Sequence, residues 1–220
     1  GDFLQAGAIP ALVVLARSGN GLQKQNSAGA LALLSRYDES LEAIVTAGGV
    51  TSIATLLRSS PLIQKQQQQQ AQRAAGSALA SLAAGAIINM ARDGKAASAI
   101  AKSGGVASLV GMLGDGTTSE SAHAAAALRN LSTSPDCITA MLNTKGCILV
   151  LVTLVRSNAA HPGVKEHAAA CLHNMMVVNR HSVAAVKKAG GNEALGTLAR
   201  NPQVGERARA IAVGALELFQ

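Results

Sequence analysis

Apolar residues recur along this chain at helical spacing, and the spacing itself repeats about five times. In each copy a glycine is followed by apolar residues at offsets of two, five and eight, which lie on one face of an α-helix. Asn192 is the exception at offset two, and a further apolar residue stands four positions before each glycine. The glycines are Gly7, Gly48, Gly104, Gly146 and Gly190, at intervals of 41, 56, 42 and 44 residues. We therefore predict a short helix before each glycine and a second helix after it, with the glycine in the left-handed conformation at the turn.

A longer helical segment completes each copy after a polar loop. Its core reads GALALLS from Gly29, GAIINMA from Gly85, AALRNLS from Ala126, ACLHNMM from Ala170 and GALELFQ from Gly214. A single three-helix unit cannot bury its apolar faces alone, whereas stacked units can. The pattern predicts an all-α fold in which residues 1–220 form one domain of about five stacked units. Their approximate limits are 1–36, 37–93, 94–134, 135–179 and 180–220.

The second unit is lengthened by an insertion at about 59–73, which contains the run Gln66–Gln70. Such low-complexity runs accumulate in permissive loops. Glutamine is also a fair helix former, so the run is able to extend the third helix outward. We interpret the insertion as a neutral expansion whose deletion leaves the fold intact.

These phrases together resemble the armadillo repeat. The G-[AG]-[IV] turn, the L-V-x-L-L-like second helix and the A-L-x-N-L-S third helix carry the resemblance, which covers essentially the whole chain. The sequence is similar to armadillo proteins of the catenin and importin type and of plant and algal type. The resemblance implies a right-handed superhelix, an α-solenoid, whose third helices line a concave groove for extended segments of partner proteins.

The resemblance also implies that an asparagine on each third helix hydrogen-bonds the backbone of a bound peptide. A side-chain amide suits that role because it offers both a donor and an acceptor. Asn89, Asn130 and Asn174 occupy the position, whereas the first and last units have Leu33 and Leu218. The alternative is that these asparagines face solvent or a neighbouring backbone.

A second polar column precedes the asparagines by seven residues, which is two helical turns and nearly the same face. It contains Asn26, His123 and His167. Histidines here could donate to an acidic partner and respond to pH between about 5 and 8, or they could be ordinary polar surface residues. The tryptophan that importin-type repeats carry four residues before the asparagine is absent, so importin-type recognition of nuclear signals is not expected.

A third column consists of arginines and stands ten residues after the turn glycine. It contains Arg17, Arg58, Arg156 and Arg200, and Gly114 interrupts it. Each arginine would close a second helix, where a cation interacts favourably with the helix dipole. The alternative is a basic edge that holds acidic segments or phosphates, in keeping with a net charge of +7.

The sequence contains no signature of catalysis. It lacks a P-loop, a GxSxG nucleophile elbow and an HExxH helix. His167 and Cys171 are four residues apart, but no further ligand pair accompanies them, so we expect no metal and no cofactor. We expect a protein that is not an enzyme.

The odd count of three cysteines, without a CxxC pair, indicates a reducing compartment. With no signal peptide at the N-terminus, we expect the cytoplasm, the nucleus or both. The uncharged stretch 74–91 is rich in Ala, Gly and Ser, so we expect a buried helix there and not a membrane span.

The sequence therefore predicts a non-catalytic scaffold that binds extended, possibly acidic, segments of other proteins. One alternative is a basic solenoid for nucleic acid or anionic phosphate surfaces, although a single Tyr, two Phe and no Trp weaken base stacking. Another is the substrate-recruiting part of a larger protein such as a ubiquitin ligase. Neither terminal unit has an obvious polar capping pattern, so we also expect self-association.

Overall fold

The computed structural model describes residues 7–58, 70–115 and 117–220, with the side chains of 58, 70–75 and 115 excepted. The described residues form fourteen helices and no strand. The first unit contributes α1 (Ala8–Ser18) and α2 (Gly21–Leu34). The second and third units contribute α3 (Asp38–Thr46), α4 (Gly49–Arg58), α5 (Gln70–Met90), α6 (Gly94–Lys102), α7 (Gly105–Asp115) and α8 (Thr118–Leu131). The fourth and fifth contribute α9 (Pro135–Asn143), α10 (Cys147–Arg156), α11 (Pro162–Val178), α12 (His181–Lys188), α13 (Gly191–Arg200) and α14 (Glu206–Glu217).

A glycine in the left-handed conformation precedes the second helix of every unit, as the sequence predicts. Gly7, Gly48, Gly104, Gly146 and Gly190 have φ angles of 70°, 75°, 77°, 81° and 80°. Only glycine enters this left-handed region without steric cost. The turn bends the chain by 81° between α3 and α4, by 74° between α6 and α7, and by 91° between α9 and α10.

The units stack through two rows of helices. The second helices contact one another in the order α1, α4, α7, α10 and α13, and the third helices in the order α2, α5, α8, α11 and α14. An alanine stands on four of the third helices, five residues before the position of Leu33, Asn89, Asn130 and Asn174. These alanines are Ala28, Ala84, Ala125 and Ala169, and all four are completely buried. Small side chains at these positions let the helices pack closely.

The core is a continuous layer of Leu, Ile, Val, Met and Ala that runs through all five units. Ile53, Leu109, Leu151 and Leu195, five residues after the turn glycines, are inaccessible to solvent. The apolar columns of the sequence are therefore the inward faces of the second helices. The all-α stack of helical units predicted from those columns is the fold observed.

Two of the third helices begin with a capping box. Asn20 Oδ1 accepts from Gln23 N at 3.0 Å, and Gln23 Oε1 accepts from Asn20 N at 2.8 Å. Thr117 and Glu120 make the same reciprocal pair at the start of α8. Each box satisfies two backbone N–H groups that a helix N-terminus leaves free.

The third helix of the second unit begins at Gln70, the last residue of the glutamine run, so the run does extend into that helix. The rest of the insertion lies outside the described residues. Among the described helices, no single one is both long and apolar enough to cross a bilayer. Three bent pairs of first and second helices reach that length and composition only when their two helices are counted together.

Candidate functional site

The third helices place the predicted binding residues on one side of the molecule. We call the surface formed by α2, α5, α8, α11 and α14 the third-helix face. Asn89, Asn130 and Asn174 stand at equivalent positions near the ends of α5, α8 and α11, and each is partly buried. Because consecutive third helices are in contact, the three amides form a row that crosses three successive units.

The amide nitrogens of Asn89 and Asn174 are used within the solenoid. Asn89 Nδ2 donates to Ala32 O at 3.0 Å and to Ser35 Oγ at 3.2 Å. Asn174 Nδ2 donates to Arg129 O at 3.4 Å and to Ser132 Oγ at 3.1 Å. Both N–H groups of each amide therefore donate to the last turn of the preceding third helix.

Asn130 differs because its nitrogen makes a single bond of this kind, to Ile88 O at 2.9 Å. The serine that would provide the second acceptor is replaced by Ala91 in the preceding unit. Asn130 consequently keeps one N–H group as well as its Oδ1. Among the described residues it is the one amide of this row with a free donor and a free acceptor.

The Oδ1 atoms of all three asparagines accept no hydrogen bond from the described residues. The sequence predicted amides that offer both a donor and an acceptor to a peptide. In Asn89 and Asn174 only the oxygen is left without a partner among the described residues. The structure assigns the nitrogens of Asn89 and Asn174 to holding neighbouring units together, which is the neighbouring-backbone alternative. Their oxygens remain available on the third-helix face.

The residues seven positions before the amide row, Asn26, His123 and His167, differ in their contacts. His123 donates from Nδ1 to Ser119 O at 2.8 Å within its own helix. His167 Nδ1 is buried without a partner among the described residues. Burial lowers the pKa of His167, and the Arg129 guanidinium lowers it further. Glu166 raises this pKa by less than Arg129 lowers it, and Arg207 adds a smaller lowering effect. Asn26, on α2, is exposed.

The C-terminal half of the third-helix face carries several charged side chains around His167. Arg207 on α14 forms an ion pair with Glu166 on α11, with Nε and Oε1 3.3 Å apart. Arg129 precedes Asn130, and His173 precedes Asn174. Both are partly buried. The helices of this half carry both signs of charge in equal number: Arg129, Lys165, Arg207 and Arg209 against Glu120, Glu166, Glu206 and Glu217.

The arginines that stand ten residues after the turn glycines differ in their contacts. Arg156 Nη2 donates to Gly190 O at 3.4 Å, across to the turn of the next unit, and lies 4.0 Å from Glu193 Oε2. Arg17 and Arg200 are exposed in the last turns of α1 and α13. The side chain of Arg58 lies outside the described residues. Arg156 therefore stabilises a turn as well as the end of its own helix.

One residue that the sequence columns do not single out joins the first two units. The Arg92 guanidinium donates to Ser35 O at 3.1 Å and to Arg36 O at 2.8 Å, and it pairs with Asp38 at 3.0 Å. Arg36 stands at the equivalent position of the first unit, but the third and fourth units have Thr133 and Val177 there, so the position forms no column along the chain. Only its place, three residues after Asn89, connects it with the amide row.

The described residues contain no cluster of three His, Cys, Asp or Glu side chains that could hold a metal ion. Cys171, four residues after His167, is completely buried, and its thiol donates to Leu128 O at 3.6 Å. Burial raises the pKa of this thiol well above its ordinary range. Cys171 therefore belongs to the packing between α8 and α11.

The chain matches no protein-family model and no curated protein sequence. Among solved structures, an engineered protein shares 30% identity with a TM-score of 0.82, and the match covers 98% of this chain but 48% of that protein. The chain thus spans about half the length of that relative.

Two designed proteins give the same measure of structural similarity. A designed armadillo repeat protein in complex with the peptide (KR)4 is 21% identical over 100% of this chain and 84% of its own, with a TM-score of 0.82. Computationally designed armadillo repeat proteins for modular peptide recognition are 22% identical over 100% and 85%, also with a TM-score of 0.82. The fold of this chain is therefore the armadillo-type solenoid.

Proposed function

We propose that the chain is a non-catalytic scaffold that binds extended segments of other proteins along the third-helix face. The observation that carries the proposal is the row of three Oδ1 atoms, all partly buried and all without a donor among the described residues. An extended peptide has backbone N–H groups along its length, and side-chain oxygens on successive helices are suitable acceptors for them. Two structurally similar designed proteins, one in complex with the peptide (KR)4 and one designed for modular peptide recognition, support this general function.

The amide row predicts an uneven contribution to binding. Asn130 is able to pair with both the N–H and the C=O of one peptide unit, since it retains a donor and an acceptor. Asn89 and Asn174 offer an acceptor alone. We therefore place the centre of the proposed site at α8, with weaker contacts on α5 and α11.

Charge suggests that the bound segment is acidic. Arg129, His167 and His173 lie on the C-terminal half of the face, and the chain as a whole carries a net charge of +7. The designed protein named above was solved with a basic peptide, (KR)4. A net positive charge favours the opposite charge in the ligand of this chain.

Random-sequence peptides displayed on phage would test the proposal. Selection on the intact chain should enrich extended, acidic sequences, and the Asn130→Ala variant should bind the same peptides at least tenfold more weakly. Asn143→Ala is the matched control, because Asn143 is an exposed amide at the end of α9, a first helix outside the third-helix face. The proposal fails if the selected peptides bind Asn130→Ala as well as they bind the parent chain.

A second arm separates this function from the nucleic-acid alternative. Binding of a random single-stranded oligonucleotide should be weak and should fall steeply with salt if it reflects net charge alone. Peptide binding through backbone hydrogen bonds should depend much less on salt. Oligonucleotide binding tighter than peptide binding at physiological salt would favour the basic solenoid.

We further propose that the protein works in a reducing compartment, the cytoplasm or the nucleus. All three cysteines are free and buried, at Cys137, Cys147 and Cys171. Reduced, packed thiols are typical of proteins from such compartments. Imaging of the tagged protein in its own cells would test the assignment, and a secreted product would contradict it.

A further inference from the structure

The turns between the first and second helices carry basic side chains in the last three units. Lys102 ends α6, Lys145 stands directly before Gly146, and Lys187 and Lys188 end α12. All four lysines are exposed, and none takes part in an ion pair of the described residues. Their ammonium groups are therefore available to a ligand.

The end of each second helix lies beside the turn of the following unit. At all four junctions the second helix of one unit contacts the first helix of the next, in the pairs α1 with α3, α4 with α6, α7 with α9 and α10 with α12. Arg156 at the end of α10 shows the arrangement in detail, because its Nη2 donates to Gly190 O at 3.4 Å. A Cβ added to Gly190 would lie 2.9 Å from the same nitrogen. Helix ends and turns thus alternate along one edge of the solenoid.

We call this surface the turn edge; it comprises the last three residues of the first helices, the glycine turns and the last turns of the second helices. Its described basic side chains are all exposed: Arg17, Lys102, Lys145, Arg156, Lys187, Lys188 and Arg200. None of its described side chains is acidic, and Glu193, in the first turn of α13, lies 4.0 Å from Arg156. The side chains of Arg58 and Asp115, which end α4 and α7, lie outside the described residues. The edge is therefore strongly basic, in a chain whose net charge is +7.

Stacking arranges these cations in a row. The axes of packed helices are about 8–10 Å apart, so five units extend the row over about 40 Å. A row of this length suits a linear polyanion, which meets it along its whole length. An anionic membrane spreads its charge over a plane, of which such a row would contact only a strip.

The composition of the turn edge favours a duplex over a single strand of nucleic acid. Proteins that hold single strands combine cations with aromatic side chains on which the bases stack. The edge has no aromatic residue, since Tyr37 precedes α3 and Phe219 follows α14. A duplex keeps its bases stacked internally and presents about one phosphate charge per 1.7 Å of its axis. Exposed lysines and arginines are sufficient to contact those phosphates.

We infer that the turn edge binds duplex nucleic acid through its phosphates, without reading the base sequence. The first and second helices form this edge, whereas the proposed peptide site lies on the third helices. The inference therefore goes beyond the proposed peptide binding and does not depend on it.

Fluorescence anisotropy with mixed-sequence duplexes of about 20 base pairs would test the inference, since such a duplex is longer than the row. The edge variant combines Lys145→Gln, Lys187→Gln and Lys188→Gln. It should bind at least tenfold more weakly at low salt, and its dependence of log K on log salt should be shallower by about 2–3. Two duplexes of unrelated sequence should bind the parent chain equally.

The control variant removes the same charge from the opposite ends of the first helices. It combines Arg36→Gln, Lys95→Gln and Arg180→Gln, at exposed positions before or in the first turns of α3, α6 and α12. This variant should lose less than threefold in affinity. Circular dichroism should show that both variants keep the parent fold, since all six side chains are exposed.

Equal losses in the two variants would overturn the inference, because binding would then reflect net charge alone. Tighter binding to phosphatidylserine vesicles or to poly-glutamate than to the duplex would overturn it as well. Asn130→Ala should bind the duplex as the parent chain does, so failure of the peptide site and failure of the turn edge are separate results.

Discussion

The side chain of Asn174 donates to Ser132 Oγ at 3.1 Å, and Asn89 makes the same bond to Ser35 at 3.2 Å. Within the sequence, asparagine and serine belong to one phrase, A-L-x-N-L-S. In the structure the serine of one unit accepts a hydrogen bond from the asparagine of the next unit, so the two residues of one phrase bond to different neighbours. Where the preceding unit has methionine at the serine position, at Met176, the following unit has Leu218 in place of asparagine.

This relationship predicts a graded loss of stability across the amide row. Asn89→Ala and Asn174→Ala each remove two partly buried hydrogen bonds and should lower the free energy of unfolding by about 1–2 kcal/mol. Asn130→Ala removes one bond and should cost about half as much. Urea denaturation monitored by circular dichroism measures the series, and equal losses at all three positions would contradict the assignment.

A double-mutant cycle isolates the bond between units. Ser132→Ala and Asn174→Ala should be non-additive, with a coupling energy of about 0.5–1 kcal/mol. Ser132→Ala combined with Asn26→Ala is the control, because Asn26 is exposed on α2, two units away from Ser132. Additive losses in the first pair would mean that the serine and the asparagine act independently.

The turn glycines offer a cleaner test of backbone conformation. Gly48 has a φ of 75°, and a Cβ added there would meet nothing within 4 Å. Gly48→Ala should therefore lower stability by about 1–2 kcal/mol through the left-handed conformation alone. Gly94, at the start of α6, also has open space but no positive φ, so Gly94→Ala should be neutral or slightly stabilising. Similar losses at both sites would show that the left-handed conformation of Gly48 does not decide the cost.

The sequence predicted the architecture because stacking imposes its constraints unit by unit. The apolar offsets after Gly48 and Gly104 could be read directly, since a buried helix face must repeat when the unit repeats. The left-handed turns followed from the same argument. The third helix of the second unit begins at Gln70, within the insertion predicted at 59–73, whose bounds stay a prediction.

The role of the amide row could not be read in the same way. Register shows that Asn89 and Asn174 lie on equivalent faces, but not whether an N–H group points to a ligand or to the neighbouring helix. That choice depends on the distance between units, which is set by small residues such as Ala28 and Ala125. Arg92 was missed for a different reason, since a contact made once leaves no periodic signal.

Burial predicts that the three thiols are unreactive in the native chain. It raises the pKa of Cys147 to about 12, and it raises the pKa of Cys137 as well. Since the thiolate is the reactive form, iodoacetamide at pH 8 should modify neither residue before the chain unfolds. Mass spectrometry should find three modified cysteines in urea, and rapid labelling without denaturant would contradict the burial of these groups.

The arginine column can be tested by removing charge without reversing it. Arg156 and Arg200 are exposed, so Arg156→Gln and Arg200→Gln should each change stability by less than about 0.5 kcal/mol. If these residues mainly complement helix ends, the double variant should bind acidic peptides as tightly as the parent chain at low salt. A marked loss of peptide or oligonucleotide binding would instead establish a functional basic edge.

The lowered pKa of His167 predicts a loss of stability in mild acid. Because the group binds a proton less readily in the folded chain than in the unfolded chain, its contribution is fully present above about pH 6.5 and is lost as pH falls through the lower folded pKa. His167→Gln should flatten this part of the stability profile, measured by urea denaturation at a series of pH values. His181→Gln, at the exposed start of α12, is the control and should leave the slope unchanged. A bound acidic peptide would favour protonation of His167, so its affinity should rise over the same interval in which stability falls.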